Sequence, residues 1–515
     1  MSRYSLVVLI SVILGGHLVS AQVTTGTISG VVQDSSGAVT PGVLVTVRNL
    51  DTGIARNVTT DERGRYTASN LTLGNYEVEG ELTGFQTEIR RGITLTVGRE
   101  VVVSLTLKVG QLSDAVTINA EAPLVEATTS AMSSLVDART IRDLPLNGRS
   151  YDQLALLQPG VVTVGAGQAS AAFDFGTGTR FSVTGSRAYA NSFMLDGTDI
   201  NDHANGTPGG SAGTNLGVDG IQEFKINTAV SSAEYGRSSG GVISAVTKSG
   251  TNALHGTLFE FLRNNALDSL GYFDKVSHGG TGSVAPYKRN QFGGALGGPI
   301  KKDRTFFFGT YETLRQNNGT NISAEVPTAA TKQGILPASI VKGTPSERYC
   351  LPGAVTCTVP VSPVIKPYLD LFQAPNTPDL GDGTAFFIAA PLQVTTENYF
   401  MSRIDHQISG TMRIFGRYSF DQDKNVIPNF QGSAIADEHD VARRQYSTIQ
   451  ATNVLRSNLV NSFRVAYNRT YQNFDDVISD QRASALSFVP GEQFGTISFG
   501  SQGAFHQPAE FLRSR

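Results

Sequence analysis

Residues 398–420 read NYFMSRIDHQISGTMRIFGRYSF, and apolar and polar side chains alternate along this stretch. Before a turn at Ser409-Gly410, apolar and charged side chains take opposite faces: Phe400, Ile404, His406 and Ile408 against Arg403, Asp405 and Gln407. After the turn the pattern repeats, with Met412, Ile414, Tyr418 and Phe420 against Arg413, Arg417, Ser419 and Asp421. A strand of a membrane barrel needs an apolar lipid side and a polar inner side. Half of a soluble β-sandwich gives the same alternation, so this stretch alone leaves both structures open.

The same pattern continues on both sides of this hairpin. Leu459, Phe463, Val465 and Tyr467 alternate with Ser462, Arg464, Ala466 and Asn468. Further candidate strands are Gly256–Arg263, Asn290–Ile300, Arg304–Arg315 and Arg443–Leu455. Residues 251–515 therefore predict about eight long strands, with a long loop over about 317–397.

The composition supports a mainly β chain. Glycine is abundant, at 55 of 515 residues, tryptophan is absent and only 17% of residues are charged. Glycine and asparagine supply turns, while β-branched and aromatic residues suit pleated surfaces. The net charge of −3 gives no broad attraction to nucleic acid, which we therefore exclude as a partner. The longest apolar run, Leu6–Leu14, is too short for a helix that spans a bilayer.

Residues 1–21 have the pattern of a secretory signal peptide. Arg3 precedes the apolar stretch Leu6–Gly15, and Val19-Ser20-Ala21 offers a small-residue cleavage site. A buried N-terminal strand or helix is the alternative. Export would permit a disulfide between Cys350 and Cys357, with two free thiols as the alternative.

Residues 22–108 contain short alternating segments punctuated by turns, which indicates a small β-sandwich. Their motifs are Gly30-x-Val32-x-Asp34, Pro41-Gly42-Val43-x-Val45, Thr60-Asp61-x-x-Gly64-x-Tyr66 and Leu73-Gly74-x-Tyr76. This region resembles the carboxypeptidase regulatory-like domain. The resemblance implies a seven-stranded immunoglobulin-like sandwich without catalytic residues. Folds of this kind include starch-binding modules, so carbohydrate binding is one interpretation of it.

The next region is too rich in glycine to build a thick core alone, with 13 glycines between Gly160 and Gly220. It still contains ordered-looking segments, Thr140–Leu144 and Gly220–Ile226, the second of which alternates as a strand does. We therefore expect it to be enclosed by another part of the protein.

Five motifs follow one another in this region. They are Arg180–Arg187 (RFSVTGSR), Phe193–Gly197 (FMLDG), Ile221–Lys225 (IQEFK), Ala233–Ile243 (AEYGRSSGGVI) and Thr247–Gly250 (TKSG). Their order resembles that of the plug domain of TonB-dependent outer-membrane receptors, and with the preceding sandwich the chain resembles the Oar-like branch. The resemblance implies a plug over 126–250, a partial outer-membrane β-barrel over 251–515, and a fold that is mainly β, with an α+β plug. It favours the barrel interpretation of the long strands.

A linker over 109–125 joins the sandwich to the expected plug. Within it, Asp114, Ala115, Val116, Thr117, Ile118, Asn119 and Ala120 resemble a TonB box. A short extended segment of this kind can add a strand to the sheet edge of a partner. An ordinary linker strand is the alternative.

Sequence motifs for covalent chemistry are weak. The chain has no phosphate loop and no His-Glu-x-x-His, and the Gly-x-Ser-x-Gly spellings at 209–213 and 236–240 lack the strand and helix of a nucleophile elbow. Asp196, Asp199, Asp202 and His203 are interpreted as turn residues on the outward face of the plug, where they are candidates to contact a ligand; a hard-cation or metal cluster is the alternative. We expect no enzyme activity, no metal and no cofactor.

The resemblance implies a receptor in the outer membrane of a Gram-negative-type bacterium, with the sandwich in the periplasm. It would bind a small molecule, an oligosaccharide or a peptide and import it with energy coupled through TonB. A surface protein that binds carbohydrate or mediates adhesion without transport is the alternative. The eight or so strands expected here are too few to close a large plugged barrel, and a barrel with open edges cannot reside in lipid. The sequence therefore predicts the N-terminal part of a longer receptor.

Overall fold

The structure is a computed structural model, and it describes residues 24–110, 115–119, 132–143, 146, 149–164, 180–202, 206–209, 216–229, 238–270, 284–319, 322–341, 349–351, 353–429, 436–456, 459–487, 497–498 and 504–505. The expected signal peptide at 1–21 lies outside the described residues, as do Asp114, Ala120 and His203. The fold is mainly β, as the composition predicts.

The N-terminal domain is a sandwich of two sheets, because alternate residues of each strand are apolar and face one core. Its strands are β1 (Gly26–Asp34), β2 (Leu44–Asn49), β3 (Ala55–Thr59), β4 (Arg65–Leu71), β5 (Gly74–Glu81), β6 (Thr87–Leu95), β7 (Glu100–Val102) and β8 (Leu105–Leu107). One sheet has the order β4-β1-β7, with β8 also on β1, and the other begins β3-β2-β5-β6. The core includes Ile28, Val32, Val45, Val47, Val78, Leu95 and Leu107.

The expected seven strands depend on how β7 and β8 are counted. Both pair in parallel with β1, at successive positions along it, and Val103-Ser104 separates them. Counted as one interrupted strand, they bring the sandwich to seven. The Val103 carbonyl turns inward at this break and accepts the Tyr66 hydroxyl at 2.6 Å. A Cβ at Gly30 would lie 2.0 Å from the same oxygen, which is why glycine is needed there.

Strand β9 (Ala115–Asn119) follows the sandwich and joins its second sheet. It pairs in parallel with β6, with Thr87 opposite Ala115 and Arg91 opposite Asn119. The sheet therefore has the order β3-β2-β5-β6-β9.

Residues 132–250 form a second body, here called the inner domain. It consists of β10 (Met132–Asp137), a helix at Ala138–Asp143, β11 (Val161–Thr163), β12 (Phe181–Val183), β13 (Ser192–Leu195), β14 (Thr198–Asp199), β15 (Ile221–Ala229) and β16 (Val242–Thr247), with 3-10 segments at Tyr151–Leu157, Ala188–Ala190 and Val218–Gly220. Its main sheet has the order β10-β15-β16-β13-β14. Phe181, Phe193, Phe224 and Ile226 lie in its core. The strand expected at Gly220–Ile226 is β15, and the segment Thr140–Leu144 falls largely in the helix.

The remaining strands are β17 (His255–Asn264), β18 (Tyr287–Lys301), β19 (Thr305–Gly319), β20 (Ile322–Pro327), β21 (Ile335–Pro337), β22 (Thr356–Thr358), β23 (Thr384–Ala389), β24 (Leu392–Gln407), β25 (Met412–Asn429), β26 (Ala436–Arg456), β27 (Leu459–Ile478), β28 (Ile497–Ser498) and β29 (Ala504–Phe505). Seven of them form one antiparallel sheet, β17-β18-β19-β24-β25-β26-β27, here called the barrel sheet. Within the described residues this sheet has seven strands, against the eight or so expected, and each neighbouring pair in the sheet follows in chain order once the small strands β20–β23 are set aside.

The small strands β20–β23 belong to the long connection between β19 and β24. They form two hairpin-like pairs, β20 with β23 and β21 with β22. Short helices lie at Ala329–Lys332 and Lys366–Leu369, with another at Gln481–Ser484 after β27 and a 3-10 segment at Asn265–Leu267 after β17. The predicted loop of about 317–397 is too long at its C-terminal end, because β24 already pairs with β19 from Leu392 onward.

The barrel sheet exposes apolar side chains on its outward face and buries charged side chains on its inward face. On β27, Phe463 is 65% exposed and Val465 is 54% exposed, whereas Arg417 on β25 is 3% exposed and Arg444 on β26 is 2% exposed. This is the reverse of a soluble sheet, and it is the arrangement of a strand with lipid outside and polar groups inside. Among the helices of the described segments, none combines the length and apolar character needed to cross a bilayer.

Candidate functional site

The two ends of the barrel sheet differ. At one end, β18–β19, β24–β25 and β26–β27 are joined by a few residues each, and at the other end the connections are longer, reaching from Gly319 to Leu392. Outer-membrane barrels place short turns in the periplasm and long loops outside the cell. We therefore call the end with short turns the periplasmic end. Arg403 and Asp405 lie near it, whereas Glu397 lies further toward the other end.

Asp196 fastens the inner domain to the inward face of the barrel sheet. It follows β13 at a turn where its own φ is +50° and that of Gly197 is +73°, as the tight hairpin to β14 requires. Its Oδ2 lies 2.8 Å from Arg417 Nε, and its Oδ1 lies 3.3 Å from Arg403 Nη1. Asp196 is 1% exposed. One buried carboxylate thus links the inner domain to both β24 and β25.

Hydrogen bonds complete the surroundings of the Asp196 carboxylate. The Thr247 backbone N–H donates to Oδ1 at 2.9 Å, and the Thr247 hydroxyl donates to Oδ2 at 2.8 Å. Arg403 is also paired with Asp405, at 2.8 Å. A buried charge is tolerated when it is both paired and hydrogen-bonded, and each ion here meets that condition.

The same hairpin turn reaches two further strands. Arg464 on β27 donates to the Gly197 carbonyl at 2.7 Å, and the hydroxyls of Thr198 and Thr448 on β26 lie 3.0 Å apart. A Cβ at Gly197 would lie 2.3 Å from Arg464 Nη1. Glycine is therefore needed for the backbone turn and for the close approach of this guanidinium.

Arg149 forms a second contact between the inner domain and the barrel sheet. Its Nη2 lies 2.6 Å from Asp219 of the inner domain, and its Nε lies 3.1 Å from Glu312 on β19. Its guanidinium also lies over the ring of Phe259 on β17, 3.9 Å from the centroid. Glu312 is fully buried and accepts the Gly217 N–H at 3.0 Å. The inner domain is thus held at both sides of the barrel sheet by charged groups.

Toward the extracellular end, Glu397, Asp421 and Asp423 lie together on the inward face. One oxygen of each lies within 4.8 Å of the others, and these three form the group with metal-ligand spacing in the described part of the chain. Carboxylate oxygens are the ligands that hard cations prefer. Here Arg444 supplies a positive charge, with its Nη2 at 2.7 Å from Asp421 and 3.3 Å from Glu397.

The sandwich contacts the inner domain and the periplasmic end of the barrel sheet. The Val97 N–H, in the connection between β6 and β7, donates to Glu223 Oε2 on β15 at 2.8 Å. Burial raises the pKa of Glu223 to about 7, against the lowering effect of the Val97 N–H. The Asn252 N–H donates to the Asp51 carbonyl at 2.9 Å, and Asn252 also bonds Asp303 at the β18–β19 turn.

The residues singled out from the sequence occupy different places. Asp196 faces the barrel sheet and not an outward surface, because two guanidiniums enclose its carboxylate. Asp199 accepts the Asn201 N–H at 2.9 Å, and the buried Asp202 accepts the Gly206 N–H. In the described part of the chain, these three carboxylates do not form a group with metal-ligand spacing. Cys350 and Cys357 form a disulfide in the β19–β24 connection.

In the candidate TonB box, Ala115, Val116, Thr117, Ile118 and Asn119 form strand β9. Asp114 and Ala120 lie outside the described residues. Nothing in the sequence indicates that this strand pairs with β6.

Several residues of the contact between the inner domain and the barrel sheet were not identified from the sequence. Alternation placed Arg403, Asp405 and Arg417 on the polar side of their strands but named no partner for them. Arg149 and Glu312 were not singled out at all. A usable signal was present for Arg149, because it is a charged residue next to the glycine of the Asn147-Gly148 turn dipeptide in a region that must be enclosed.

Comparisons with known proteins agree with this geometry. Residues 246–510, more than half of the chain, match the family described as outer membrane beta barrel domain, and residues 27–108 match the carboxypeptidase regulatory-like domain. The chain is 28% identical over 362 residues to the TonB-dependent transporter Oar of Myxococcus xanthus. That match covers 67% of this chain and 32% of the relative, so the chain spans about a third of the relative's length.

Solved structures of outer-membrane proteins are also similar. The outer membrane transporter YddB from Escherichia coli aligns with 66% of this chain and 39% of its own, at 13% identity and a TM-score of 0.40. The siderophore receptor PirA from Acinetobacter baumannii aligns with 68% of this chain and 46% of its own, at 13% identity and a TM-score of 0.35.

The family resemblance inferred from the five motifs and the sandwich is confirmed by the similarity to Oar and by the two matched domains. The protein is located in the outer membrane of a Gram-negative bacterium. The chain belongs to the outer membrane β-barrel domain family, and it carries a carboxypeptidase regulatory-like domain ahead of the barrel sheet.

Proposed function

We propose that this chain acts in an energy-coupled outer-membrane receptor, which binds an extracellular ligand and imports it to the periplasm. In this proposal the inner domain is the plug, residues 114–120 are the TonB box, and the ligand is a small molecule, an oligosaccharide or a peptide. The similarity to a TonB-dependent transporter supports it. In this proposal the charged residues between the inner domain and the barrel sheet hold the two together, and no covalent chemistry is assigned to them.

The observation that carries the proposal is the ionic attachment of the inner domain to the barrel sheet. Asp196 pairs with Arg403 and Arg417, and Arg149 pairs with Glu312. A domain held on the inward face in this way obstructs the lumen, so a ligand can pass only when these contacts open. Contacts of this kind are noncovalent and reversible, and energy delivered from the periplasm can break them.

The test is whether TonB recognises this chain through residues 114–120. The receptor in outer-membrane vesicles should co-purify with the periplasmic domain of TonB, and deletion of residues 114–120 should abolish this. Deletion of residues 121–127, which has the same length, is the matched control and should leave binding intact. Equal binding by all three chains, or by none, would contradict the proposal and favour an adhesion protein.

Uptake identifies the cargo. Cells that carry the receptor should accumulate one member of a panel comprising a ferric siderophore, an oligosaccharide and a peptide, and a strain without TonB should not.

A further inference from the structure

We propose that the sandwich domain holds residues 115–119 of the TonB box as a preformed strand, β9, on the edge of β6 and presents the other edge of that strand to TonB. This inference rests on the proposed function, because it takes residues 114–120 as the segment that TonB binds. It assigns to the sandwich an interaction surface, the β6 edge, whose occupant is a segment of the same chain.

The backbone pairing shows the first half of this arrangement. Five consecutive pairs join β6 to β9 in parallel, from Thr87 with Ala115 to Arg91 with Asn119. β9 is the last strand in the order β3-β2-β5-β6-β9. Among the residues that the structure describes, no strand pairs with the far edge of β9. The segment is therefore extended, fixed along one edge and open along the other.

An open edge is what a partner strand needs. A strand at the margin of a sheet leaves a row of backbone N–H and C=O groups that another chain can pair with. Peptide recognition by strand addition takes its affinity from those main-chain bonds. Because a strand has two edges, TonB can pair with β9 without displacing it from β6.

The position of the sandwich places this edge where TonB can reach it. The connection that follows β6 carries Val97, whose N–H donates to Glu223 of the inner domain at 2.8 Å. Asp51 accepts the Asn252 N–H beside the periplasmic end of the barrel sheet, at 2.9 Å. The sheet that includes β9 is thereby anchored at the periplasmic face.

Holding the segment in advance should strengthen its binding to TonB. Fixing one residue's backbone costs about 1–2 kcal/mol of conformational entropy. Pairing with β6 has already fixed the backbone of β9, so TonB need not order it. A free peptide of the same sequence must be ordered on binding, and we expect it to bind TonB at least tenfold more weakly than the full chain.

A disulfide staple tests whether β9 stays on β6 during binding. Ile89 and Thr117 are directly opposite in the β6–β9 register, and Thr117 is exposed. The double variant Ile89→Cys and Thr117→Cys should form a disulfide that locks the two strands together. Binding of the TonB periplasmic domain to the oxidised full chain should stay within threefold of that to the reduced chain. A loss of more than tenfold on oxidation, restored by reduction, would overturn the proposal, because the segment would then have to leave β6.

A staple at the opposite margin of the same sheet is the control. Thr46 and Asn57 are opposite each other in β2 and β3, so Thr46→Cys with Asn57→Cys stiffens the sheet away from β9. It also reports any effect of the reductant on Cys350–Cys357. Its binding should not depend on oxidation.

The free peptide 110–125 separates the two hypotheses. If the peptide binds TonB as tightly as the full chain, preorganisation by β6 is refuted, and the assignment of residues 114–120 as the TonB box is retained. If neither the peptide nor the full chain binds TonB, the proposed function fails, and the presentation hypothesis fails with it.

Discussion

Asp196 combines a special backbone conformation with two buried cations. Its φ of +50° is unusual for a residue other than glycine, and the fold retains it because the hairpin turn aims the carboxylate at Arg403 and Arg417. Removing one partner of a buried ion pair leaves an uncompensated charge, which costs far more than the pair itself contributes. The attachment of the inner domain should therefore be sensitive to this one carboxylate.

We expect Asp196→Asn to weaken that attachment by about 3 kcal/mol, because breaking a buried pair costs about that much. Arg403 keeps Asp405 at 2.8 Å, whereas the ion pairs of the described residues give Arg417 no second carboxylate. Hydrogen exchange of the β13 and β16 amides should become roughly 100-fold faster, from about 1.4 kcal/mol per tenfold. Asp199→Asn, three residues later in strand β14, is the control. Equal exchange in the two variants would show that Asp196 is not the attachment point.

The face of the strand on which a side chain lies could be predicted from the sequence, but the residue with which it pairs could not. The alternation around Arg403 and Arg417 correctly separated the inward from the outward side, because a strand has a period of two. Asp196 lies about two hundred positions earlier in the chain. No local pattern can pair residues at that separation, so its role became visible only in the folded structure.

At the scale of elements, the connection between β6 and β7 meets β15 through one hydrogen bond to a buried acid. The pKa of Glu223 is raised to about 7: burial is the largest cause and Asp137 adds to it, while the Val97 N–H and Lys225 act in the opposite direction. The unfolded value is 4.5. Between these values the folded state keeps a proton that the unfolded state has lost. This contact therefore becomes less stable as the pH rises from 4.5 to 7, by about 3 kcal/mol at about 1.4 kcal/mol per unit.

Glu223→Gln should remove this pH dependence, because the amide oxygen still accepts the Val97 N–H and cannot ionise. At pH 8 the variant should protect the β15 amides from hydrogen exchange better than the natural chain does, and at pH 5 the two should converge. The exposed Glu62→Gln serves as the control and should follow the natural chain at every pH. A natural chain whose β15 protection is flat from pH 5 to pH 8 would contradict the assignment.

The strands of the sandwich were largely predictable from the sequence, whereas the pairing of β9 was not. Tyr76 and Val78 alternate with polar residues and are buried in β5, as expected. The sequence marked Asp114–Ala120 as extended but could not supply its neighbour. A parallel partner requires no turn signal, since the chain runs from Leu95 through β7 and β8 before it returns to β6.

At the scale of the whole molecule, the outward face of the barrel sheet forms an apolar band. Ile404, Ile449, Phe463 and Tyr467 are each more than half exposed. In a soluble protein a patch of this kind would be an interaction site or an aggregation hazard. In an outer-membrane protein it is the surface that contacts lipid.

Phe463→Arg tests this band. A charged residue on the lipid face costs about 2–4 kcal/mol near the middle of the bilayer, so we expect less folded protein in the outer membrane, measured by its heat-dependent mobility in gels. Val355→Arg, at a position 85% exposed in the β19–β24 connection, is the control and should assemble normally. If both variants assemble equally well, the Phe463 face does not contact lipid.

The charged contact between the inner domain and the barrel sheet also governs what remains after the two separate. The guanidinium of Arg417 and the carboxylate of Glu312 are charged groups that form hydrogen bonds, so water can take the place of each lost partner. Two apolar surfaces, by contrast, would resist wetting as they part. Around these charged groups, the wall that the inner domain leaves is therefore hydrophilic from the first moment of opening. A water-soluble solute that follows this part of the wall meets hydrated groups and not a dry crevice.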